Sequence, residues 1–63
     1  SLKFEQIRGV LEELREDWRE LVFLRYFEEL PYEDISHITG KTVNTIRVTL
    51  HRAIREIRSK LAV

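Results

Sequence analysis

Between Leu30 and Ile57 the chain reads LPYEDISHITGKTVNTIRVTLHRAIREI, and the punctuation of this stretch leaves little choice of fold. Pro31 disfavours helix in the residue before it and suits the entry to a new one, so a preceding helix stops near Leu30. Tyr32 to Thr39 then reads as a short helix, with Glu33 and Asp34 at its positive end and Ile35 and Ile38 facing inward. Gly40 supplies a left-handed turn residue, and Thr42 is a good N-cap whose hydroxyl can accept from the free amide of Asn44 or Thr45. Two helices joined by so tight a turn form a helix-turn-helix.

The second of these helices separates two faces. Val43, Ile46, Leu50, Ala53, Ile54, Ile57 and Leu61 recur at three- and four-residue steps and define a core stripe. At 100° per residue the opposite face is centred on Val48 and Arg52, flanked by Asn44, Thr45, His51 and Arg55, with Arg47 and Thr49 toward its margins.

Upstream, Leu2, Phe4, Ile7, Val10, Leu11 and Leu14 keep the helical period and predict helix one over about Leu2 to Leu14, with Gly9 inside it. Helix two is expected from Glu16 to about Glu28. Its apolar residues surround the axis, with Leu21, Leu24 and Phe27 on one side and Trp18, Val22 and Tyr26 on the other. A chain of 63 residues cannot cover both sides fully, so part of the aromatic surface is expected to stay exposed: either Phe23 or Trp18 is merely half-buried, or Trp18, Phe23 and Tyr26 form a protein-docking patch. The whole chain thus reads as one all-α domain, a compact bundle of four helices containing the helix-turn-helix.

Formal net charge is zero, but its distribution is uneven. Residues 1–31 carry five Lys/Arg against eight Asp/Glu, and residues 32–63 carry six against three, so the halves stand at −3 and +3. An acidic half and a basic half should meet different partners. With no cysteine there is neither a disulfide framework nor a thiolate zinc site. His37 and His51 fall on different helices, without a second ligand at metal-binding spacing, and no nucleophile motif or glycine-rich phosphate loop is present. No enzyme, no cofactor, no metal and no small-molecule substrate is expected. No apolar run approaches the roughly 20 residues of a membrane span and no leader precedes helix one, so a cytoplasmic setting without membrane contact is the expectation. The pattern is still helical through Leu61, Ala62 and Val63, as it would be in a domain excised from a longer chain.

A helix offered to the DNA major groove needs short polar side chains near its N-terminus for base edges and cations along its margins for phosphates. Asn44 suits adenine, Thr45 and Thr49 suit bases or phosphates, and Arg47 and Arg52 suit the backbone or guanine. Val48, apolar in the middle of this polar face, reads equally as a contact for a thymine methyl and as a tolerated surface valine.

From Arg19 to Ile57 the chain resembles the C-terminal promoter-recognition domain, region 4, of bacterial sigma factors, especially the extracytoplasmic-function (ECF) type. The residues that carry the likeness are Arg19, Leu24, Arg25-Tyr26-Phe27, Tyr32-Glu33-Asp34-Ile35, the Gly40 turn, Thr45-Ile46 and Leu50-His51-Arg52-Ala53. The resemblance implies a domain that reads the promoter −35 element and docks on the flap of the RNA polymerase β subunit, masked in many such factors by an anti-sigma protein. It assigns base reading to Asn44 and Val48 with Thr45, and DNA backbone contacts to Lys41, Thr42, Arg47, Thr49 and Arg52. The chain departs from the family's habits at Val48, where a small polar residue is common, and at Thr49, where arginine is. It departs again at Glu29, which replaces a frequent glycine, and at Pro31, which stands for a capping serine. Two other readings share these residues: a helical protein-interaction module with little DNA affinity, and a dimeric LuxR-type regulator.

Overall fold

A computed structural model describes residues 2–61. Four helices follow one another: α1 (Leu2–Glu13), α2 (Glu16–Val22), α3 (Tyr32–Thr39) and α4 (Val43–Leu61). A π-helical segment, Phe23–Phe27, continues α2. The expected continuation of the last helix through Ala62 and Val63 lies outside the described residues.

The boundaries follow local chemistry. Leu14 donates its amide to Leu11 at 3.2 Å, a tightened last turn that ends α1 one residue earlier than expected. Glu16 and Asp17 occupy the first turn of α2, with the Asp17 carboxylate accepting from the Trp18 amide at 3.0 Å. Pro31, extended at φ −70° and ψ 159°, caps α3 from outside, and its carbonyl accepts from Asp34 and Ile35 at 3.1 Å each.

Leu14, Leu21, Val22, Ile35, Ile46, Leu50 and Ala53 form the core, drawn from the end of α1 and from α2, α3 and α4. Leu11, Trp18, Leu24, Leu30, Tyr32 and Ile57 pack around it. Four residues expected to face inward do not. Ile38 is 60% exposed, because α3 has only eight residues and Ile35 already fills the contact beneath it. Phe4 and Ile7 are exposed because the first half of α1 reaches beyond the core of a molecule 35 Å long and 16 Å thick. Phe27, expected beside Leu21, is 62% exposed. The π segment causes this last change: an i→i+5 bond from Glu28 to the Phe23 carbonyl at 3.0 Å adds a residue to the turn and turns Phe27 outward. There Phe27 stacks on Phe23 with ring centroids 5.4 Å apart.

Two contacts tie distant segments together. Lys60 donates to Glu13 at 2.9 Å, joining α4 to the end of α1, and this hydrogen bond holds the Lys60 ammonium above its ordinary pKa. Arg25 donates to the Leu30 carbonyl at 2.9 Å and lays its guanidinium over the Tyr32 ring at 4.9 Å, bridging the link between the π segment and α3.

That link contains Glu29 at φ 57°, a left-handed conformation in a residue with a Cβ. The strain is about 1–2 kcal/mol in a non-glycine residue. Glu29→Gly is expected to stabilise the domain by about 1 kcal/mol, after the greater unfolded-state entropy of glycine is subtracted. In a thermal melt that is a rise of roughly 4–8 °C; an unchanged or lower midpoint refutes the strain argument.

Candidate nucleic-acid interface

The turn between α3 and α4 is braced by hydroxyls. Gly40, left-handed at φ 76°, ends α3 with its amide on the Ser36 carbonyl at 2.8 Å. Ser36 donates its hydroxyl across the turn to the Lys41 carbonyl at 2.6 Å. Thr39 donates to the Ile35 carbonyl at 2.8 Å and accepts from the Lys41 amide at 3.2 Å. Thr42 caps α4: its Oγ1 accepts from the Thr45 amide at 3.1 Å and its hydroxyl donates to Thr45 Oγ1 at 2.9 Å. Of the two amides expected for this cap, Thr45 is the one used. Four backbone groups that a turn would leave to water are thereby satisfied within it, which fixes the angle at which α4 leaves α3.

Ile46, Leu50 and Ala53 are buried beneath α4, so the face opposite projects outward as the periodicity requires. Thr42, Asn44, Thr45, Arg47, Val48 and Arg52 are all exposed on it, while Lys41 and Thr49 are half-buried at its edges. Arg47 donates to Asn44 Oδ1 at 3.1 Å, one turn apart, and leaves the Asn44 amide hydrogens facing outward. Val48 is 39% exposed with polar neighbours on every side. His51 and Arg55 continue the exposed surface toward the C-terminus, and neither they, Arg47 nor Arg52 has an acidic partner among the described residues.

The aromatic residues expected as one docking patch are divided. Trp18 packs against the core, with the Arg15 guanidinium 5.5 Å above its ring. Phe23, 47% exposed, lines an apolar groove between α1 and the π segment with Leu11, Val22 and Phe27. Tyr26, 53% exposed, lies on the other side, facing α4 with Tyr32. Phe27 is the member of this surface that periodicity misses, since a regular helix would have buried it. Ser36 is a second omission; a hydroxyl residue one turn before the glycine of a tight turn is the signal that finds it.

His37 and His51 are exposed on α3 and α4, and among the described residues no group of three or more His, Cys, Asp or Glu is placed to hold a metal. Among the described residues no helix is long and apolar enough to cross a membrane.

Comparison with known proteins converges on one family. Residues 4–57 match the family model described as Sigma-70, region 4. The chain is 36% identical over 55 residues to RNA polymerase sigma factor SigV of Bacillus subtilis, an alignment covering 87% of this chain and 33% of that protein. It is 34% identical over 61 residues to RNA polymerase sigma factor YlaC of the same organism, covering 97% of this chain and 35% of YlaC. With the ECF RNA polymerase sigma factor EcfG of Rhodopseudomonas palustris the identity is 39% over 61 residues, 97% of this chain and 32% of EcfG. The chain therefore spans about a third of the length of these relatives. No solved structure matches it. A capped helix with one face outward on a four-helix frame, matched over residues 4–57 by this family model, places the chain in the sigma-70 region 4 family, in the form found in ECF sigma factors.

Proposed function

We propose that this domain gives a sigma factor its promoter specificity in the bacterial cytoplasm, with α4 reading the −35 element while the α1–π side docks on the RNA polymerase β flap. The observation that carries the reading is the disposition of α4. Its apolar stripe is locked into the core, its N-terminus is capped, and Asn44, Thr45, Arg47, Val48 and Arg52 stand together on the exposed side. Asn44 and Thr45 offer donors to base edges, Val48 offers methyls to thymine, and Lys41, Thr42, Arg47, Thr49 and Arg52 lie where phosphates would pass. The stacked Phe23–Phe27 pair supports protein docking by the other half, whether by the polymerase or by an anti-sigma protein that masks it. The same pair favours the interaction-module reading as the second choice, and measurable DNA affinity separates the two.

Anisotropy titrations of the domain with −35-like duplexes at low salt test this. Arg52→Ala is expected to weaken all sequences together and to lower the salt slope by about 1. Asn44→Ala is expected to lose about 1–3 kcal/mol at one base position only. Binding unchanged by both substitutions removes the case for reading by α4.

A further inference from the structure

The first half of α1 stands clear of the core. Lys3 to Arg8 are all exposed, and packing on the rest of the domain begins only beyond Gly9, at Leu11 and Leu14. The second half is fastened, with the Glu12 carbonyl accepting from Arg19 at 3.2 Å and the Glu13 carboxylate from Lys60 at 2.9 Å. Gly9 sits between the two. Neither space nor backbone calls for a glycine there, since a Cβ would meet nothing within 4 Å and its φ is not positive. What glycine supplies at this point is ease of bending, at the expense of helix propensity. On one flank of the arm an open gap separates Gln6 and Gly9 from Lys60 and Leu61, so a swing of the arm leaves no packed surface behind.

On the other flank lies the apolar groove, where Arg8 and Leu11 face Val22, Phe23 and Phe27. The bond from Arg19 to Glu12 marks where its two walls come together. Four residues outward stand Arg8 on one wall and Phe23 on the other, and four further stand Phe4 and Phe27, at about 6 Å per step. Phe4 shares the groove-facing side of α1, about 40° from Arg8 and 20° from Leu11. It is 64% exposed, as Phe27 is 62% exposed, and each ring offers the other an apolar face. Phe4 is five residues from Gly9, about 7.5 Å of helix axis, so a bend at the glycine carries its ring across the mouth of the groove.

We propose that residues 3–8 form a lid, hinged at Gly9, that folds Phe4 onto the Phe23–Phe27 pair and closes the groove, so that a protein docking there must first displace it. Gating of a partner rests on the docking role proposed for this side of the domain, whereas closure itself stands without it. The chain has three phenylalanines, so 4-fluorophenylalanine gives three ¹⁹F resonances, and broadening by a neutral gadolinium chelate reads the exposure of each ring. For a groove covered half of the time, broadening at Phe27 should rise about twofold when Gly9→Ala stiffens the arm and holds it out. Phe4→Ala should also raise it, by removing the ring that covers Phe27, and the distant control Ile38→Ala should not. Equal broadening of Phe27 in wild type, Gly9→Ala and Phe4→Ala overturns the lid, and this is also the result expected if the arm merely unwinds. Titration with core RNA polymerase separates gating from closure. Gly9→Ala should bind about twofold more tightly than wild type, and equal affinities overturn the gating. If no variant binds polymerase while the ¹⁹F ordering holds, the lid stands and the docking role falls.

Discussion

Leu21→Ala should cost about 2–5 kcal/mol of folding stability, the range for removing a buried leucine from a core that cannot fully collapse around the space. Leu21 is fully buried in α2, in a core of seven residues to which all four helices or their ends contribute. A domain of this length has roughly 3–9 kcal/mol in all, so the substitution removes a large part of it, about half at the middle of both ranges. Urea denaturation is the measurement, with Val48→Ala as control: it deletes apolar atoms too, but from an exposed site on α4, and should stay within about 0.5 kcal/mol. If Leu21→Ala cost under about 1 kcal/mol, α2 would not be the centre of the packing. DNA binding by the variant should fall with the folded fraction, so stabilising osmolyte should restore both together.

Gly40→Ala should be the most damaging single change in the turn, at about 1–2 kcal/mol. A Cβ at Gly40 meets nothing within 4 Å, so the cost lies wholly in the backbone, which holds φ at 76°. Gly40→Asn, better tolerated in the left-handed region, should recover part of it. The damage extends to function because the bonds from Ser36 and Thr39 to Lys41 depend on the same backbone path. A variant that relieves the strain by shifting φ loses those bonds and changes the angle of α4. Gly40→Ala should therefore bind DNA less well than its folded fraction accounts for, and binding in strict proportion to that fraction shows that the turn tolerates the change.

How much of this was legible beforehand depended on how local the cause was. The Pro31 entry, the Gly40 exit and the Thr42 cap are each settled by residues within four positions, and the structure places all three as their chemistry requires. The core stripe of α4 was equally legible, because one helix face is decided by spacing alone. Ile38 and Phe4 were misplaced for a different reason: periodicity says which residues share a face, while coverage of that face depends on how far the neighbouring elements reach. Phe27 was misplaced because the period itself changes at Phe23. On α4 the exposed residues could be named in advance, but the tyrosines that lie beside them could not. Tyr26, Tyr32 and Arg58 come from three elements, and only the bend between them brings the tyrosines to the α4 flank.

That bend has a consequence for how the domain tolerates insertions and deletions. Five residues spanned by an i→i+5 bond act as one surplus residue in an otherwise regular helix, and each residue carries about 100° of rotation. Loss of a single position between Phe23 and Phe27 removes that surplus and leaves Arg25's anchorage and the helices beyond it in register, whereas loss of a position from the regular part of α2 turns them by about 100° around its axis. The bearing of α4 relative to α1 is thus encoded as a length of chain.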